Sequence, residues 1–444
     1  MKREKLSMLI INPNAAGIDV GSKSHFVAIG QESYHVKEFG VTTSDLKSLV
    51  DYLKSNGIQT VAMESTGSYW QSLFRVLQMN EFEVLLVPGA QIQNVRGKTD
   101  VLDCQWIQKL HSLGLLRGCY LPSETTLKIR TLSRHRKSMV EDCSKLTNRM
   151  QKSLRLMNLR LDVAINDIMG VSGRAIIDAI LTGEKDPNKL ASLTNKRIRK
   201  SKEEVAELLH GQYQDELLFE LEQNYMLYQC LQKSIESTDK KLEELLIEAT
   251  KDKTTTEELK RVNKQLKGKN QAQFDLQNYS YKMLGVNLFK IQGVSVNTIL
   301  TFISEVGNDI FKFQTSKQFV SWLRLAPNNK ITGGKVVSSR TKKGKNKLAI
   351  AFRDAANTVE RLKTGELVQF FKRIAYKKGR GAAVTATARK IATIFWNMVT
   401  KKQEYSTEIN GITKEKIIAK KQKTIQRLMQ ELSSENIAVQ LVVN

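Results

Sequence analysis

Four cysteines and five histidines are all that this 444-residue chain offers a soft metal. Cys104, Cys119, Cys143 and Cys230 include no CxxC pair, which excludes a zinc knuckle and speaks against a disulfide framework. The pattern fits a reducing, cytoplasmic protein. No apolar run reaches the length of a membrane span, and the apolar part of the opening MKREKLSMLIINPN is too short for a secretory signal, so no membrane partner is expected. There is no ATP-binding motif and no internal repeat. Acids are also in short supply: 45 Asp and Glu face 70 Lys and Arg, leaving a net charge of +25 and a pI near 9.7.

A soluble chain this basic most often meets a polyanion, and nucleic acid is the expected partner. The bland alternative is a basic but passive surface. Hydrophobic residues make up 41% of the chain, enough for real cores, and the length predicts two to four domains. Residues 16–22, 24–30 and 34–40 read as strands, 43–57 as a helix with a Ser/Thr/Asp start and a Gly stop, 58–65 as a strand, 67–80 as a helix and 82–89 as a strand. That order describes an α/β layer of ribonuclease H type, so the expected class is α/β plus α.

From about residue 127 the chain turns helical and basic, with ten Lys or Arg over 128–160. Leu132, Met139 and Leu146 recur every seven residues, followed by Met150, Leu154, Met157 and Leu161 at helical spacing. A second stripe runs through Leu221, Tyr225, Tyr228, Leu231, Ile235, Leu242, Leu245 and Ala249. The two predict coiled-coil-like packing, with another copy or with each other. The basic helix is a candidate nucleic-acid backbone surface, with Arg134, Arg136 and Lys137 as its test residues; the alternative is a solvated helical face. Residues 250–273 read as a polar connection. Over 288–308 the pattern helix, Gly turn, helix, Gly stop resembles a helix-hairpin-helix, whose amides can hold a phosphate, or an ordinary helical hairpin. Helices are expected around 348–363, 365–376 and 381–399. The expected division is 1–125, 126–280, 281–400 and a polar tail, 401–444.

Four acids sit where strands end or helices begin: Asp19 on the first strand, Glu64 ending the fourth, and Asp100 and Asp103 one helical turn apart after the capping Thr99. In a ribonuclease H layer the first and fourth strands are central neighbours, so the four would converge. Clustered carboxylates repel unless cations lie between them, and oxygen ligands suit Mg²⁺ or Mn²⁺. Two such ions about 4 Å apart can stabilise the attacking and leaving oxygens of a phosphoryl transfer. Singly, each acid reads as a cap or a surface residue.

The stretch NKITGGKVVSSRTKKGKNK, 329–347, holds Thr332, Ser338 and Ser339 among seven cations and no acid. Lys330, Lys335, Arg340, Lys342, Lys343, Lys345 and Lys347 could hold phosphate oxygens, and Gly333 and Gly334 would let a DNA strand approach the backbone.

GIDVGS (17–22), AMESTGSYW (62–70), GKTDVLDCQWIQKLHSLGLL (97–116), ITGGKVVSSRTKKGKNK (331–347), AFRDAA (351–356) and VTATARKIA (384–392) together resemble the DEDD-type insertion-sequence transposases, the bridge-RNA-guided recombinases related to Piv-like DNA invertases. The likeness covers about 17–125 and 284–399. It implies a RuvC-like first domain with Asp19, Glu64, Asp100 and Asp103 as its metal-binding acids. It also implies a C-terminal transposase domain whose nucleophilic serine position is Thr332 here. Threonine keeps the hydroxyl but adds a methyl that crowds attack. Ser338 and Ser339 therefore stay open as alternatives, as does a loop with no covalent role. The resemblance further implies recombination of element ends with a target DNA, a guide RNA, a dimer or tetramer, and a nucleoid-associated bacterial protein. The rivals are a RuvC-like nuclease using water and a non-catalytic nucleic-acid-binding module.

Overall fold

The computed structural model describes residues 9–65, 67–92, 99–251, 270–406 and 414–434. The chain forms two compact units, Met1–Leu121 and Pro122–Asn444.

The first unit is a five-stranded sheet of β1 (Ala15–Val20), β2 (Ser24–Ala28), β3 (Val36–Gly40), β4 (Thr60–Glu64) and β5 (Glu83–Val87), in the order β3-β2-β1-β4-β5. β2 runs antiparallel to β1 and β3; β4 runs parallel to β1 and β5. The order is consistent with the ribonuclease H-type layer. Helix α1 (Thr43–Ser55) starts at a capping box between Thr42 and Asp45, α2 (Trp70–Met79) joins β4 to β5, and α3 (Asp100–Ser112) follows. Alternation along the two central strands assigns their faces. Ala16, Ile18 and Val20 of β1 and Val61 and Met63 of β4 bury against Leu46, Leu49 and Leu53 of α1 and Leu73 and Leu77 of α2. Ala62 of β4 packs with Ile107 of α3 on the other face.

Among the described residues the second unit is helical but for one hairpin. Helix α4 (Glu124–Leu156) is 33 residues long; four short helices follow, α5 (Leu161–Ala164), α6 (Val171–Leu181), α7 (Pro187–Ser192) and α8 (Lys202–Leu208); α9 (Asp215–Thr250) has 36 residues. Both apolar stripes are used inside the chain. Met139, Cys143, Leu146, Met150 and Leu154 of α4 share a core with Leu221, Tyr225, Tyr228 and Ile235 of α9. Beyond Ile235 the buried face of α9 runs through Asp239, Leu242, Leu246 and Thr250, and Leu245 and Ala249 of the expected stripe are only half-buried.

Then come α10 (Leu276–Leu284), α11 (Val296–Glu305), α12 (Ser316–Trp322), the hairpin β6 (Lys330–Thr332) and β7 (Lys335–Ser338), α13 (Lys347–Arg361), α14 (Glu366–Lys378), α15 (Arg380–Lys401) and α16 (Lys414–Ser434). The expected helical pair over 288–308 is different in form: its first arm is a single 3-10 turn, Leu288–Lys290, leading into α11. The turn glycine Gly293 has φ 81°, and a side chain there would overlap the Ala355 carbonyl, so this turn packs closely on α13. Most of the connection 250–273 lies outside the described residues.

Candidate active site

Asp19 lies on the α3 face of β1, two residues beyond Gly17, and the parallel register Ile18–Met63 puts Glu64 beside it on β4. The last two acids come in through close packing of a helix. At Gly17 an added Cβ would overlap the backbone of α3 at Cys104 and Gln108, so α3 lies directly on β1. The Gln108 side-chain amide donates to the Ala15 carbonyl at 3.1 Å and fixes the register of helix on strand. Thr99 caps α3, its hydroxyl accepting from Leu102 N–H at 3.3 Å, and sets Asp100 and Asp103 in the first turn. There the helix dipole favours negative charge. Glu64 is positioned by a second glycine, Gly89, where a Cβ would overlap its carboxylate.

The acids share one electrostatic field. The Asp19 carboxyl is pushed up to about 6, first by burial and then by the charges of Asp103, Asp100 and Glu64. The Cys104 thiol behind it is pushed up to about 12, by burial first and by Asp19 next, which leaves it protonated and unfit as a metal ligand. Oxygen-only donors of concentrated negative charge fit a hard divalent cation. Among the described residues, no three ligand-type side chains are gathered at cation-binding spacing. The four carboxylates are thus electrostatic neighbours, not a closed ligand shell.

In the second unit Thr332 ends β6, paired with Lys335 across a two-residue turn. Gly333 and Gly334 have φ 55° and 76°, and a Cβ at either would meet nothing within 4 Å. Positive φ at both central positions is what a tight hairpin requires, so the turn itself accounts for both glycines. Every residue from Lys330 to Val337 is exposed, including Ile331, Val336 and Val337. Thr332 therefore stands on an exposed hairpin tip. Ser338 ends β7, half-buried, with its hydroxyl accepting from Arg340 N–H at 3.4 Å; Ser339 follows, exposed. Lys330, Lys335, Arg340, Lys342, Lys343 and Lys345 are exposed around it, whereas Lys347 is half-buried, its ammonium pKa lowered by burial and then by Arg134.

Two family models match the chain. One describes a DEDD-type transposase of IS110 and spans residues 16–159; the other describes the IS116/IS110/IS902 transposase family and spans residues 286–372. Together they cover just over half of the sequence, one containing all four acids and the other the Thr332 hairpin. The chain belongs to the IS110 family of DEDD-type transposases. A comparison with curated proteins finds no match.

The transposase does not offer all of its α4 arginines to nucleic acid. Arg136 is 4% exposed and pairs with Asp239, itself 2% exposed, its Nη2 reaching Oδ2 at 3.1 Å and its Nη1 the Asn270 carbonyl at 3.1 Å. That corrects the expectation for Arg136, which joins α4, α9 and the chain entering α10. Arg134 is also engaged: its Nε and Nη2 hold the Glu305 carboxylate at 2.9 and 2.8 Å, and Arg130 Nη2 adds the Glu305 carbonyl at 2.6 Å. Lys137 remains exposed, as do Arg149 and Lys152. Asp239 was legible as a charged residue at a stripe position, four after Ile235 and three before Leu242, and its partner had to lie on the facing helix.

Proposed function

We propose that the transposase cuts and rejoins DNA by two transesterifications, with Thr332 as nucleophile and Asp19, Glu64, Asp100 and Asp103 as the metal-holding acids. The observation that carries this reading is the shared field at Asp19, whose pKa near 6 reflects three neighbouring carboxylates beyond its burial. Bound Mg²⁺ or Mn²⁺ would supply charge relief to the attacking and departing oxygens. The side chains do the rest. Asp19 and Glu64 hold fixed positions on adjacent strands, and Asp100 and Asp103 are carried on a capped helix start. The hairpin cations neutralise phosphate charge.

In the first step the Thr332 Oγ–phosphorus bond forms as the phosphorus–O3′ bond breaks; the proton lost by the threonine is balanced by the one gained by the departing 3′ oxygen. In the second, the 3′-hydroxyl of another strand attacks the protein-bound phosphate and Thr332 regains its proton. One ester replaces another at each step, so no nucleotide hydrolysis is needed. Exchange between two duplexes calls for a dimer or a tetramer. The surplus of Lys and Arg supports a guide RNA as second polyanion, with Lys137, Arg149 and Lys152 as its candidate contacts on α4.

The water-using nuclease is the rival, because the acid cluster alone could serve it. Recombination of two duplexes carrying element ends, with the element's flanking RNA, separates them. Asp19→Asn and Thr332→Ala should each abolish joined product. Retention of strand cutting by Thr332→Ala, with free ends and no joining in the wild type, would select the nuclease.

A further inference from the structure

A cleft of about 760 Å³ opens at the foot of the β6–β7 hairpin, within the size range of ligand pockets. One wall is Leu325 with Ser339 and Arg340, where the chain leaves β7; the other is Phe370 of α14 with Arg389 and Lys390 of α15. The first wall is held by backbone: Pro327 bridges Thr341, and Asn328 N–H donates to the Arg340 carbonyl at 3.1 Å. Before these two cations α15 contributes only short side chains, Ala382, Thr385 and Ala386, which leaves the floor open.

The chemistry of the lining is divided. Three cations and no carboxylate line the cleft. Lys390 is half-buried, its pKa pushed down by burial, with Glu366 acting the other way. An arriving anion would favour its charged form. The Phe370 ring lies 5.0 Å from the Lys390 ammonium and 5.4 Å from the Arg373 guanidinium. Both cations lie over the ring, so an unpaired base reaches Phe370 by displacing one of them, which frees that cation for the phosphate; a base held in a duplex has no free π-face to offer.

Position selects the strand. β7 carries the chain from Thr332's partner Lys335 to Ser338, about 10 Å at the usual strand rise. That is about three base steps. We propose that this cleft seats an unpaired nucleotide of the DNA strand, a few steps from the bond that is cut, with its base on Phe370 and its phosphate between Arg340 and Arg389. The choice of DNA and of this strand rests on the reading of Thr332 as nucleophile.

The test uses the full chain in EDTA with single-stranded DNA carrying 5-iododeoxyuridine, photo-crosslinked and mapped by peptide. The crosslink is expected in the Phe370 peptide. Arg389→Glu should weaken single-strand binding at least about tenfold while duplex affinity stays within about twofold; Phe370→Ala should cost about tenfold and Phe370→Tyr little. Crosslinks outside the cleft, equal losses for Phe370→Ala and Phe370→Tyr, or tighter seating of a matched RNA at the same residues would each overturn the proposal. Thr332→Ala should leave the crosslink intact. A cleft crosslink in a protein that forms no DNA adduct would leave the seat standing and remove the nucleophile; an adduct at Thr332 without the crosslink would do the reverse.

Discussion

The two candidate halves of the chemistry are built in opposite ways. The acids of the first unit are fixed by dense packing: a central strand buried on both faces, a helix laid on it at Gly17, a cap at Thr99. Thr332 of the second unit sits on a two-stranded hairpin exposed from Lys330 to Val337, and a side chain added at either turn glycine would meet nothing within 4 Å. Packing serves four like charges that must be held together against repulsion. An attacking hydroxyl has a different need: it must reach a strand it does not itself bind, and an exposed tip gives it reach. Preorganisation is thus concentrated where charge is gathered, and access at the hydroxyl proposed to attack.

The comparison breaks most sharply at Asp19. Asp19→Asn removes one of the acids proposed to hold metal, and strand cutting should fall by about 10³-fold or more, measured on labelled element ends in Mg²⁺. Loss of less than about tenfold would mean that the packed acids are not the catalytic half. Next comes Arg136→Ala, which leaves Asp239 buried without its partner and should destabilise the protein by about 3–5 kcal/mol in denaturant titration. Because Arg136 is buried, the variant that probes nucleic acid is Lys137→Glu. It should reduce the salt slope of RNA binding by about one while leaving stability nearly unchanged. Gly17→Ala forces α3 off β1 and should cost about 1–3 kcal/mol. Gly333→Ala meets no atom and should cost about 1 kcal/mol through its positive φ alone. If the two glycine variants cost the same, the contrast between packed and exposed halves is lost. A further effect is on pH. The folded Asp19 carboxyl, near 6, takes up its proton above the ordinary 3.8, so the folded state binds more protons between about pH 4 and 6. Metal-free stability should therefore fall as pH rises through that window, and Asp19→Asn should remove that part of the fall.

The first unit was largely legible because its signals are local. Period-two strands, a Thr42–Asp45 box and a Thr99 cap each sit within a few residues, and the neighbourhood of Asp19 and Glu64 follows once strand order is known. The second unit was legible only in part. The stripes on α4 and α9 announced packing, but Asp239 occupies a core position and the buried face passes through it, a choice that depends on Arg136 about a hundred residues away. The arm before Gly293 reads as a helix by apolar spacing; the structure forms only a 3-10 turn there, Leu288–Lys290, before Gly293 packs on α13. The Phe370 cleft joins α14 and α15 to the hairpin foot, and no single segment signals it.

The most direct test of Thr332 as nucleophile is peptide mapping of the covalent protein–DNA product formed in Mg²⁺ with element ends and flanking RNA. The expected result is DNA on Thr332, lost in Thr332→Ala and formed faster in Thr332→Ser, whose hydroxyl lacks the crowding methyl. DNA on Ser338 or Ser339, or metal-dependent cutting with no protein–DNA bond at all, would contradict it.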